Sequence, residues 1–237
     1  MKSWSLIPIL ALVLLQTGCV TGRRTFDLPV TAAATTPAAG RGVVYIASVT
    51  DDRKFENKPS DPSVPSIDGD VNKISAAQKD HMIGRQRNTF GHAMGDISLP
   101  ADETVTRKAR ILVEQGLRSG GYRVTDDPNA PNSVAVSVNE FWAWTTPGFV
   151  SLTFEAKIGC LLTVHGADGS THTAVVRGYG RNLGQVAKDG NWLDAYTPAF
   201  EDFVKNLGSA VDQLGLTGAP QATSPHQKSG RVVAMIR

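Results

Sequence analysis

Apolar positions along the chain recur at two spacings, and each spacing predicts a kind of element. Gly42 to Val49 (GVVYIASV) is dense in β-branched and aromatic residues and apolar at both parities, which predicts a strand inside a sheet. From Asp102 the spacing changes to four and three. Val105, Ala109, Leu112 and Gly116, widened by Val113 and Leu117, predict a helix that Gly120-Gly121 ends with a left-handed cap. Asp102 and Glu103 suit its positive end, and Arg110, Glu114 and Arg118 stand four apart for surface pairing.

Strict alternation follows. After a short strand at Tyr122 to Val124 and the turn-rich DDPNAPN, Val134, Val136, Val138, Trp142 and Trp144 share one parity. Across the turn Thr145 to Gly148, the stretch Phe149 to His165 places Val150, Leu152, Phe154, Ala156, Ile158, Cys160, Leu162 and Val164 on one side. Gly166 to Gly169 turns the chain into a third strand, Ser170 to Tyr179, completing an antiparallel meander. Gly180 to Gly190 reads as a loop. A last helix, starting near Asp194 or at Thr197-Pro198, carries Tyr196, Phe200, Phe203, Leu207, Val211 and Leu214 as one apolar stripe and stops at Gly215. The order β-α-β-β-β-β-α predicts an α+β fold: a two-layer sandwich with a mixed, mainly antiparallel sheet and helices on one face. Residues 42–216 form one domain, and no internal repeat is present.

Thr50 to Ala101 fits neither spacing. It is rich in Asp, Pro, Ser, Gly and Asn, with a short helix expected near Ser75 to Met82, and is read as a long loop insertion. Its apolar residues (Phe55, Ile67, Ile74, Met82, Ile83, Phe90, Met94, Ile97) either fold over the sheet or meet a partner. Within Gly84 to Ile97, Arg85, Arg87, Phe90, His92 and Met94 have the Arg, aromatic and Met composition enriched at interfaces, and they are the candidate partner-binding residues.

The N-terminus changes the picture of location. Lys2, an apolar run from Leu6 to Leu15 and the small pair Thr17-Gly18 make the charged, greasy and cleavable parts of a secretory signal over residues 1–18. The run is too short to span a bilayer, which needs about twenty residues. Cys19 at the cut point looks like the lipobox cysteine of bacterial lipoproteins, with Gln16 where that pattern has a Leu-like residue. The resemblance implies lipidation of Cys19, membrane attachment through the N-terminal lipid and, with Val20 next in place of an Asp, an outer-membrane anchor facing the periplasm. Residues 19–41, ending in an Ala/Thr/Pro tract, read as a flexible linker, and 217–237 as a disordered tail.

Charge and chemistry add mostly exclusions. Without Lys2 the formal balance is +1, which offers no basic footprint for nucleic acid. Cys19 and Cys160 could pair in an oxidising compartment, but a lipidated Cys19 leaves Cys160 as a small buried hydrophobe, with no neighbours to activate it. No HExxH, Gly-x-Ser-x-Gly or Walker motif occurs. Gly178 to Gly184 has one residue too many for a dinucleotide fingerprint and reads as a strand that bends at its end. Asp68-Gly-Asp70-Val-Asn72 starts like a calcium loop, but Lys73 and Lys79 occupy the positions of its Gly and Glu. His81, His92 and Asp96 match no standard metal spacing, so no metal and no cofactor are expected.

Trp142 and Trp144 are either core or, with Glu140, a stacking platform for a small ligand or cell-wall glycan. Glu140 shares their parity, so it lies either at a bend that changes the phase or at a polar site.

The layout of lipobox-like signal, strand, helix ending LVEQGLRSGGYRV at Leu112 to Val124, long hairpin and final helix resembles the uncharacterised YajG-type lipoproteins over Gly42 to Leu216. That family implies no catalytic residues and no cofactor. The expectation is a non-enzymatic, lipid-anchored protein that binds another envelope component, such as an envelope protein, through its loops.

Overall fold

The computed structural model describes residues 23–30 and 40–216, apart from single positions 89, 150 and 186. The expected signal peptide, Cys19, Val150 and the tail at 217–237 lie outside these residues. Among the described residues an eight-stranded open sheet carries the fold, with the two long helices on one face. Pairing is mixed, and the three antiparallel pairs hold most of the paired residues, so the α+β sandwich expected from the sequence is present.

Strand β1 is Arg24–Thr25, β2 Gly42–Asp51, β3 Met82–Arg87 and β4 Ala93–Ser98, with the one-turn helix α1 at Ala76–Lys79. Helix α2 is Val105–Ser119, followed by β5 Tyr122–Thr125, β6 Asn132–Pro147, β7 Leu152–His165 and β8 Thr171–Gly184. Helix α3 is Asp189–Ala210, with a short 3₁₀ turn at Val211–Gln213.

The sheet forks on β6. One edge of β6 pairs with β7 over its whole length. Its other edge pairs first with β2 (Val44↔Asn132 to Asp51↔Val138) and then with β3 (Gly84↔Ala143, Arg85↔Trp144), both parallel. Arg53 fills the gap between β2 and β3: its guanidinium donates to the carbonyls of Lys79, Met82 and Phe141 and pairs with Asp51 at 2.7 Å. Backbone acceptors that no strand can reach there are thereby satisfied.

Four expectations are corrected. The 50–101 segment is not a loop insertion throughout, because β3 and β4 form a hairpin that extends the sheet, with α1 before it. Gly84 fits the tight β3–β6 approach, where a Cβ would lie 2.7 Å from the Ala143 carbonyl oxygen. Nor are residues 23–30 a free linker. Arg24–Thr25 pairs with β4, and Phe26 and Leu28 are buried in the main core.

Helix α3 starts at Asp189, ahead of Asp194, since Trp192 and Ala195 pack into the core and Trp192 meets Phe154 edge to face at 5.1 Å. Finally, β8 runs through Gly178 and Gly180 to Gly184 without a break. Those two glycines let α3 lie on the strand backbone: a Cβ on Gly180 would stand 2.0 Å from the Ala195 carbonyl oxygen.

The helix-side core joins the α2 and α3 stripes to Val134, Val136 and Val138 of β6 and to the Phe154 to Val164 alternation of β7. Helix α2 is capped by Thr104, which accepts from the Arg107 amide at 3.1 Å, and Gly121 takes the left-handed φ of +92° after it. On the opposite face a smaller core gathers Ile67, Val71, Met82, Trp142 and Trp144.

Candidate functional site

A β-bulge decides which way the tryptophans face. Val138 pairs with Cys160 and Glu140 with Gly159, so Asn139 is the extra residue and every side chain after it changes face. Phe141 and Ala143 therefore enter the helix-side core, and Trp142 and Trp144 turn to the opposite face under the chain that precedes β3. The shared face expected for Val134, Val136, Val138, Trp142 and Trp144 is corrected. Glu140 lies at the phase change, half-buried beside Gly159, with its carboxylate 3.4 Å from Arg177.

The stacking platform is corrected with it. Trp142 is 1% exposed, packed edge to face on Phe55 and donating from Nε1 to the Pro62 carbonyl at 3.3 Å. Trp144 is buried too, with the Lys157 ammonium 5.0 Å from its ring centre. A cleft of about 420 Å³ beside them is bordered by Asp52, Glu140 and Lys157, but neither ring offers a free face for a sugar.

The candidate partner residues separate in the same way. Arg85 is buried, donates to the Ile67 carbonyl, and lies 3.4 Å from Asp68 and 3.7 Å from Asp96. It ties β3 to the preceding segment and is buried, with only an edge on the concavity described below. Asp96 is itself buried, and this burial pushes its carboxyl up despite the amide of Asp68 and the charges of Arg85 and Arg23. Met94 is half-buried on β4.

Arg87, Phe90 and His92 do come together, at one end of the sheet. Arg87 donates to the carbonyls of Gly91 and Pro59, both at 3.2 Å; burial and then the neighbouring Arg85 charge lower its pKa from the ordinary value. Asn88 builds the turn beyond it. Its side-chain oxygen accepts from the amides of both Phe90 and His92 at 2.9 Å, and Gly91 supplies the φ of +78°. Phe90 is left 84% exposed.

Facing this turn is the end of β6. A concavity of about 690 Å³ is lined by Arg87, Phe90 and His92, by Lys58 and Pro59, and by Thr146 of β6. The β6–β7 turn, closed by the Gly148 amide on the Ser151 carbonyl at 2.7 Å, leaves Phe149 fully exposed nearby in the fold. Sequence reading assigned Phe149 to a strand. The signal against that was its place just after Pro147-Gly148, within the turn itself.

No protein-family model matches the chain, and no curated protein matches it in sequence. Several solved structures resemble it. A Xanthomonas campestris protein described by the DUF330 family model is 12% identical with a TM-score of 0.47, the match covering 81% of this chain and 96% of that one. A PelC variant crystallised as a dodecamer, from Paraburkholderia phytofirmans, is 13% identical with a TM-score of 0.31, covering 76% and 92%. A minor lipoprotein from Acinetobacter baumannii is 11% identical with a TM-score of 0.33, covering 58% and 98%. At this distance none of them tells what this chain binds.

Proposed function

We propose that this chain is a non-enzymatic lipoprotein of the bacterial envelope, anchored through Cys19 to the outer membrane and facing the periplasm, in the manner of the YajG-type lipoproteins. Its loops at the β3–β4 end meet another component of the envelope. The observation that carries this reading is the N-terminus, where a charged, an apolar and a small-residue part lead directly to Cys19. Among the described residues no helix is long and apolar enough to cross a membrane.

The surface chemistry favours contact over catalysis. Cys160 is 1% exposed and burial pushes its thiol up to about 12, which removes it as a nucleophile. By contrast Phe90 and His92 are exposed beside an open concavity.

The test uses the full chain in a bacterial host with lipoprotein processing. Mass spectrometry of the mature protein is expected to find acyl chains on Cys19, and Cys19→Ser is expected to release it from membranes. A photo-crosslinking residue at position 92 should capture an envelope component, lipid or protein, that one at position 175 does not. Absence of acyl chains overturns the anchor, and equal capture at both positions overturns the role of this surface.

A further inference from the structure

Three residues of chain separate Cys19 from Arg23, and Arg23 adjoins a strand already paired in the sheet. Arg23 lies 3.7 Å from Asp96 on β4, and the next two residues pair with Ile97 and Ser98. A fully extended chain gains about 3.3 to 3.6 Å per residue, so Cys19 lies within roughly 14 Å of Arg23. An anchor on so short a leash fixes which part of the domain stands against the membrane.

Strand directions identify that part. Strand β1 runs parallel to β4, so going backwards from Arg24 leads toward Ala93 and the β3–β4 turn. Strand β3 runs parallel to β6, and Arg85 is level with Trp144, which puts the same turn beside Pro147 and the β6–β7 turn. The concavity shared by Phe90, His92 and Thr146 joins the two turns in space. Asp96 is only about 10 Å along the strand from Ala93, inside the reach of the leash. The other end of the meander, at His165 and Thr171, lies some 40 Å away along β7, beyond that reach.

At the near end stand the two most exposed aromatic rings among the described residues: Phe90 at 84% and Phe149 at 104%. Single exposed apolar residues are ordinary on protein surfaces. Here each Phe occupies the tip of a separate turn, both tips share the end nearest the anchor, and a dedicated hydrogen-bonding residue, Asn88, holds one of them in place. Leu183, 60% exposed near the last residue of β8, is paired opposite Thr153 at the same end.

We propose that this end of the sheet rests in the lipid interface, with the rings of Phe90 and Phe149 entering the headgroup region beside the acylated Cys19. The inference rests on the anchored reading above and names the first envelope component that this surface meets as the bilayer itself. The acyl chains on Cys19 supply the attachment, and apolar side chains buried at the interface add to it. The rings also fix the domain's tilt, since two contacts beside one anchor define a plane where a lone tether would not.

The test is depth-dependent fluorescence on the full lipidated chain in vesicles of phosphatidylethanolamine and phosphatidylglycerol, with lipids brominated near the headgroup as quenchers. Phe90→Trp and Phe149→Trp each place a reporter at a tip, and Val175→Trp places one at an exposed site on β8 nearer the opposite end of the sheet. The unsubstituted protein gives the background of the buried Trp142, Trp144 and Trp192. Emission from positions 90 and 149 is expected to be lost to the quencher and emission from 175 to be kept. No quenching at either tip, or equal quenching at all three positions, overturns the inference. Acyl mass on Cys19, read from the same sample, separates the two failures: with acyl chains present only this inference falls, and without them the anchored reading falls first.

Discussion

Arg53 donates from Nη1 to the carbonyl of Phe141 at 2.8 Å, 88 residues away along the chain, at the point where β6 changes partner from β2 to β3. The same guanidinium reaches the carbonyls of Met82 and Lys79 and forks onto both oxygens of Asp51. A planar, always charged fork suits this place, and a lysine could not reach so many acceptors at once. Arg53→Ala is expected to leave the Asp51 charge and three carbonyls unpaired, at a cost of about 3 to 5 kcal/mol. Urea denaturation checks it: the midpoint should fall with the slope unchanged, and Arg53→Lys should recover only part of the loss.

Gly180→Ala tests the seat of α3. The added Cβ would meet the Ala195 carbonyl oxygen and the Ala199 amide at 2.0 and 2.6 Å, both backbone and unable to swing away. Overpacking of this kind costs about 1 to 3 kcal/mol or more. A thermal midpoint equal to that of the unsubstituted protein would mean that the helix is seated elsewhere.

Cys160 supplies a probe of unfolding. Its thiol, 1% exposed and pushed up to about 12 by burial, should not react with a thiol reagent at neutral pH while the protein is folded. In urea the reaction should appear with the same midpoint as the loss of circular dichroism. Labelling well before that midpoint would show local opening of β7.

Ser137 donates to the Asp52 carboxylate at 2.5 Å, and this bond first, then that of Thr50, holds the carboxyl below the usual range. A folded-state pKa below the unfolded one contributes stability that is present above the unfolded value and is lost as pH falls through the folded one. Ser137→Ala should raise the Asp52 pKa back toward the ordinary carboxylate value and make the acid side of the stability profile less steep. Carboxyl NMR titration reads the first effect, and denaturation midpoints at successively lower pH read the second.

Replacing positions 84–97 with a Gly/Ser linker should unfold the domain, because it removes most of β3 and β4, which lie between β1 and β6 in the sheet, and the buried Ile97. Replacing only 88–92 should leave the thermal midpoint nearly unchanged, since that stretch joins the two strands and lies at the surface. Comparison of the two midpoints separates the part of the segment that folds the protein from the part that faces outward.

Much of the architecture was legible because it follows from local periodicity. The alternation from Phe154 to Val164, the α2 stripe from Val105 to Leu117 and the α3 stripe from Tyr196 to Leu207 are all buried as their spacing requires. A residue three, four or two places away is a neighbour whatever the rest of the chain does.

What the sequence left to the tertiary structure were contacts that depend on distant partners. One extra residue at Asn139 turns Trp142 and Trp144 from the face of Val138 to the opposite one; the misplaced carboxylate of Glu140 beside it marked a bend or a polar site, and only the pairing with β7 decides for the bend. Strands β3 and β4 contain Gly84 and Gly95, weak strand formers, and exist because β6 offers a free edge 59 residues further on at Ala143. Arg85 went from candidate contact to buried tie for a related reason: Asp68 and Asp96 are brought to it only when the hairpin closes. Likewise β1 is two residues long, too short for any period, and is held by Ser98 and by the burial of Phe26 and Leu28. Backbone hydrogen bonds accept almost any side chain, so the identity of a strand's neighbour is written in the packing of the whole sheet and not in the strand itself.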